Sequence, residues 1–170
     1  MAKKLLIALA AIMGVSILAM AAADKPNFSG TWNMDRARSF GMPGDMTQTL
    51  TITHTDDKID VETKIIQPNN ERTIKDTFVL DGKEHEFTPP TPPNAPANQL
   101  PPKGKRTATW LPGEIGITVT DVTKTQTPNG EATTQNVRKW AINAQGELVI
   151  DSYVDSPRGS FEAKRIFKKQ

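Results

Sequence analysis

From Ser29 onward the chain alternates between apolar and polar positions in short runs, and the runs are separated by turn residues. "SGTWNM" (29–34), "TLTITH" (49–54), "KIDVETKII" (58–66), "RTIKDTFVL" (72–80) and "KEHEFT" (83–88) form the first group. "KRTATWL" (105–111), "EIGITVTDV" (114–122), "TTQNVRKWAI" (133–142), "ELVIDSYV" (147–154) and "SFEAKRIFK" (160–168) form the second. They are rich in Thr, Val, Ile and aromatic residues, and most repeat with a period of two, which predicts strands. Between them stand Asp56-Asp57, Pro68-Asn69-Asn70, Asp81-Gly82, Pro112-Gly113, Asn129-Gly130, Gln145-Gly146 and Pro157-Arg158-Gly159, all tight-turn chemistry. Links this short force antiparallel neighbours, because a parallel pair needs a crossover of about a dozen residues.

Two connections are long. Asp35–Met46 has room for a helical turn, and 89–102 holds seven of the chain's 13 prolines. The latter reads as an exposed polyproline II spacer, with a mouth flap or partner-docking segment as the functional alternative. A meander of this length in an open sheet leaves two strand edges unpaired and one face wet, and no amphipathic helix is available to cover it. Closure removes both problems. The expected fold is an all-β, antiparallel up-and-down barrel of about 8–10 strands.

The segment before this pattern is different. Lys3 and Lys4 precede an apolar run from Leu5 to Met20, then Ala21-Ala22-Ala23 and the polar Asp24. That pattern predicts a cleavable signal peptide over 1–23, with an uncleaved anchor as the alternative, so the expected location is the periplasm or the medium, with no stable membrane anchor after cleavage. One domain, 24–170, remains. The chain carries 21 basic and 19 acidic residues, and the two leader lysines account for the excess, so nothing points to nucleic acid. With no cysteine, an exported fold must rest on packing and backbone pairing.

Gly30-Thr31-Trp32 on the opening strand resembles the lipocalin and fatty-acid-binding-protein (calycin) superfamily, particularly small exported bacterial lipocalin-like proteins that begin with this motif. The resemblance implies a barrel whose first-strand tryptophan plugs the closed end, with Gly30 allowing close approach and a basic side chain of the last strand, Lys164 or Arg165, packed across the indole. The run "NGEATTQNVRKWAINAQGELVIDSYV" followed by "EAKRIFKK" is similar to the last three strands of fatty-acid-binding proteins. There an arginine and an Arg-x-Tyr hold a ligand carboxylate; the matching positions are Arg138, Arg165 and Phe167, with Phe167 replacing the tyrosine.

Alternation places Arg165 on the face of Phe161, Ala163 and Phe167. Two positions stand for it, against Trp32 or in the pocket. Arg138 shares parity with Trp140, and Arg106 with Trp110, so these four residues join the ligand-site candidates. A guanidinium inside a barrel is costly unless paired; Asp76 and Asp121 have the parity of apolar neighbours and are candidate internal partners. His54, on the face of Leu50 and Ile52, reads as a hydrogen-bonded core residue. Two separated histidines without cysteine make a poor metal set, and neither metal nor cofactor is expected.

No Gly-x-Ser-x-Gly, phosphate loop or histidine-based triad is present, so an enzyme is not expected. The reading is a carrier for a small hydrophobic molecule or fatty acid-like anion. The alternative is a filled barrel acting as a protein-interaction or protease-inhibitor module, with a protein partner docking on the proline-rich loop.

Overall fold

The computed structural model describes residues 25–42, 44–90, 102–127 and 130–170. The expected leader with its cleavage site, and most of the proline-rich loop, lie outside the described residues. The strands are β1 (Gly30–Met34), β2 (Thr47–His54), β3 (Lys58–Gln67), β4 (Asn70–Val79) and β5 (Glu84–Phe87), followed by β6 (Lys103–Trp110), β7 (Gly116–Thr127), β8 (Gly130–Ile142), β9 (Leu148–Ser156) and β10 (Gly159–Lys169). Each lies within a few residues of its predicted run. The long β1–β2 connection holds a single 3-10 turn at Arg36–Arg38.

All ten strands belong to one antiparallel sheet, in the order β4-β3-β2-β1-β10-β9-β8-β7-β6-β5. The first and last strands are neighbours, with Trp32 opposite Lys169 and Met34 opposite Phe167. The sheet is therefore rolled into a nearly closed up-and-down barrel. The seam falls between β4 and β5, the two ends of that order. Near the turn end Gly82 N donates to Ala108 O at 3.0 Å, tying the β4–β5 connection to β6. Farther along no backbone ladder joins the two edges among the described residues.

Inward-facing side chains fill one end. Phe28, Trp32, Ile59, Phe78, Ile117, Val119, Leu148 and Phe167 are fully buried there. Removing that much apolar surface from water, at about 25 cal/mol per Å2, is the main force holding the barrel together. Trp32 is fixed within it, its indole N–H donating to Phe28 O at 2.8 Å. The cation over the Trp32 ring is Lys169, its Nζ 5.3 Å from the centroid, so neither Lys164 nor Arg165 packs across the indole. The register explains the correction: Lys169 is the residue directly opposite Trp32, whereas Arg165 sits four residues nearer the other end of the strand. Gly30 accommodates the lysine stem. A Cβ there would fall 2.6 Å from Lys169 Cε, and its φ of +130° is one that other residues rarely adopt.

Candidate functional site

The other half of the barrel is hollow, with a cavity of about 380 Å3. Of the residues expected to meet a ligand, Arg106, Arg138, Arg165, Trp140 and Phe167 line it. Trp110 does not. It shares the inward parity of Arg106 but stands four residues farther along β6, about 13 Å toward the closed end. There its ring lies 5.7 Å from that of His54, with Lys25 Nζ 5.1 Å away on the outer side.

The internal arginines are not equivalent. Arg106 on β6 faces Asp121 on β7 in a two-point pair, Nε to Oδ1 at 2.6 Å and Nη2 to Oδ2 at 3.0 Å. Its third nitrogen reaches across the seam to β4, donating to Asp76 Oδ1 at 2.8 Å and Thr77 O at 3.3 Å. The guanidinium is sandwiched between the Phe87 and Phe78 rings, 4.1 and 4.7 Å from their centroids. Phe87 can lie there because its cross-strand partner is Gly104, where any Cβ would collide with the ring. Burial pushes the Arg106 pKa down, but the bonds and charges of Asp121 and Asp76 outweigh it, and the net direction is up.

Arg138 on β8 shares Asp121, with Nη2 to Oδ2 at 2.6 Å. Its Nε is enclosed without a partner among the described residues. Burial dominates and lowers its pKa, with Asp121 opposing.

Arg165 on β10 has no carboxylate. Its one hydrogen bond among the described residues runs from Nε to Met42 Sδ at 3.0 Å. Burial lowers its pKa, and repulsion from Arg138 adds to the effect. Met42 is delivered by the β1–β2 connection, which is strapped to the barrel. Phe40 pairs with Lys164, Ser39 Oγ accepts from Ile166 N at 3.1 Å, and Arg38 bonds to both Asp35 and Glu147. Among the described residues, three guanidinium groups therefore face two carboxylates around the cavity, one positive charge more than the carboxylates balance.

Parity pointed to Asp76 and Asp121 as internal partners, and both pair with Arg106. The polar residues Thr123, Thr134 and Asn136, which also line the cavity, were not singled out by the sequence. Their signal was present in the inward parity they share with Asp121 and Arg138. His54 is hydrogen-bonded, its Nδ1 accepting from Phe28 N at 3.2 Å, while Nε2 is enclosed without a partner among the described residues.

The chain is a nearly closed barrel of ten meandering strands, closed at one end by a first-strand tryptophan and hollow at the other, and it shares its fold with solved calycin-like barrels. Similar solved structures include the zebrafish ileal bile acid-binding protein complexed with cholic acid. It covers 88% of this chain and all of its own, at 18% identity and a TM-score of 0.52. The REP1-NXSQ fatty acid transporter is 13% identical over 84% of this chain and 95% of its own, with a TM-score of 0.47. Secretory abundant heat soluble protein 4 from Ramazzottius varieornatus is 17% identical over 84% and 94%, with a TM-score of 0.42. No protein-family model matches the chain, and no curated protein matches it in sequence.

Proposed function

We propose that this protein is an exported, non-enzymatic carrier that holds a small hydrophobic carboxylate inside its barrel, with the charged end on Arg165. The observation that carries the reading is Arg165 itself, a cation lining a largely apolar cavity without a carboxylate of its own. A buried charge without a counter-ion costs several kcal/mol, and an anionic ligand removes that cost. Arg138, with a free Nε behind it, supports the same charge. Arg106 is already committed on all three nitrogens and contributes field rather than contact. The cavity falls within the roughly 300–1,000 Å3 typical of ligand pockets, which favours a carrier over a filled interaction module. The bile acid named for the zebrafish neighbour is consistent with a hydrophobic anion in this fold. Export rests on the leader sequence alone.

Titration of the purified protein with a sixteen-carbon linear carboxylate and with its methyl ester tests the reading. A charge-assisted bond predicts about 10–100-fold tighter binding of the acid, and Arg165→Gln should remove most of that difference. If the acid fails to bind, or if acid and ester bind alike, the reading is wrong.

A further inference from the structure

Met42 reaches Arg165 by way of the β1–β2 connection. Phe40 exchanges both backbone hydrogen bonds with Lys164, 2.9 Å from Phe40 N to Lys164 O and 3.1 Å in return. Gly41 then lies so close to β10 that a Cβ there would collide with Glu162 O. Met42 follows, and its Sδ accepts from Arg165 Nε at 3.0 Å. The pair is poorly matched. A guanidinium is a charged donor with several N–H groups, whereas a thioether sulfur is a weak acceptor. Among the described residues Arg165 has no other hydrogen-bond partner.

The sulfur can become the acceptor that the guanidinium lacks. One lone pair of Sδ takes the Nε–H, and the second is available to attack hydrogen peroxide. In that step an S–O bond forms, the O–O bond breaks, and the proton on the transferred oxygen passes to the departing hydroxide. Sulfur gives up an electron pair and the peroxide takes it, leaving a sulfoxide and water. The sulfoxide oxygen is strongly polar, and it accepts from a cationic N–H far better than the thioether does.

Access favours Met42 over the other methionines among the described residues. Met34 is packed against the core cluster and Met46 is only 7% exposed. Met42 is half-exposed, on a connection outside the barrel ladder, so an oxidant in solution can reach it without the barrel opening.

We propose that Met42 is an oxidation site: hydrogen peroxide converts its thioether to the sulfoxide, and the sulfoxide oxygen then holds Arg165. Once oxidised, the connection is fastened to β10 by a charge-assisted bond and the empty barrel is more stable. Building on the carrier reading, the same bond competes with a ligand carboxylate for Arg165, so oxidation weakens the hold on an anionic ligand.

Graded hydrogen peroxide treatment of the folded protein tests the inference, read by peptide mass spectrometry, thermal unfolding and titration with the sixteen-carbon carboxylate. Met42 should oxidise ahead of Met34 and Met46, and the unfolding temperature should then rise by about 2–4 °C. The acid should bind about tenfold more weakly after oxidation. Met42→Gln, whose amide carbonyl stands in for the sulfoxide oxygen, should reproduce both effects without peroxide. Met42→Leu should abolish the response to peroxide. An unchanged or lower unfolding temperature at full Met42 oxidation overturns the inference, as does earlier oxidation of Met34 or Met46. Acid binding unaltered by oxidation also overturns it and leaves the carrier reading intact. If the acid binds neither form, the carrier reading fails, while a raised unfolding temperature still upholds the sulfoxide clamp on Arg165.

Discussion

Arg106 on β6 and Asp76 on β4 meet at 2.8 Å across the seam of the sheet, where no backbone ladder runs among the described residues. Backbone pairing holds every other neighbouring pair of strands. At the seam a side chain does so instead, and its other edge is anchored in Asp121 and clamped between two phenylalanine rings.

This makes the two partners unequal. Arg106 is 7% exposed, and its loss leaves a carboxylate at the seam, empties the slot between Phe78 and Phe87, and frees half of Asp121. Arg106→Ala should cost about 3–5 kcal/mol, the usual penalty for breaking a buried pair. Asp76→Asn keeps an acceptor and leaves Arg106 bound to Asp121, so about 1 kcal/mol is expected. Urea denaturation measures both, and hydrogen exchange in β4 should rise more for the arginine variant. Two equally mild losses would mean that the seam is held some other way.

Arg165 makes the opposite prediction. Its guanidinium is half-buried and, among the described residues, its one bond is to a thioether sulfur, so it destabilises the empty barrel. Arg165→Met, which keeps much of the apolar stem volume, should raise stability by about 1–2 kcal/mol in the absence of ligand while abolishing the preference for a carboxylate. Thermal unfolding with and without the sixteen-carbon acid separates the effects: the acid should protect the unaltered protein and not the variant. A variant that is less stable without ligand would show that the guanidinium is supporting the fold.

The strands were readable because turn chemistry and period-two alternation are local properties, and the hairpins they define close into the observed barrel. Parity alone carried Asp76, Asp121 and Arg165 to the inner face. What the sequence did not contain was depth along the barrel. Arg106 and Trp110 share a face, yet one lines the cavity and the other lies beyond the closed end, because inward positions on a tilted strand pass through every level of the core. The cation over Trp32 was hidden for the same reason. Which of Lys164, Arg165 and Lys169 meets the indole is fixed by the β1–β10 register, a pairing between residues more than a hundred positions apart. The contact across the seam is still less local, since it requires three strands to arrive together.

His54 gives the barrel a pH dependence in a window of its own. The ring is stacked on Phe28 at 5.4 Å and lies beside Trp110, and its Nδ1 is occupied by the Phe28 N–H. Burial pushes its pKa below the ordinary 6.5, with Asp56 opposing. The charged ring is thus disfavoured in the folded state and the unfolded chain takes the proton first, so stability is intact above about pH 6.5 and falls as the pH drops beneath it. Asp35, held at about 2 by hydrogen bonds from Lys168 and Arg38, loses its contribution only as the pH falls from 3.8 through that value. Urea midpoints should therefore decline as the pH falls below about 6.5 and decline again in stronger acid. His54→Asn, which keeps an acceptor for Phe28 N but cannot titrate, should remove the first decline and leave the second. If the first decline survives that substitution, another group is responsible for it.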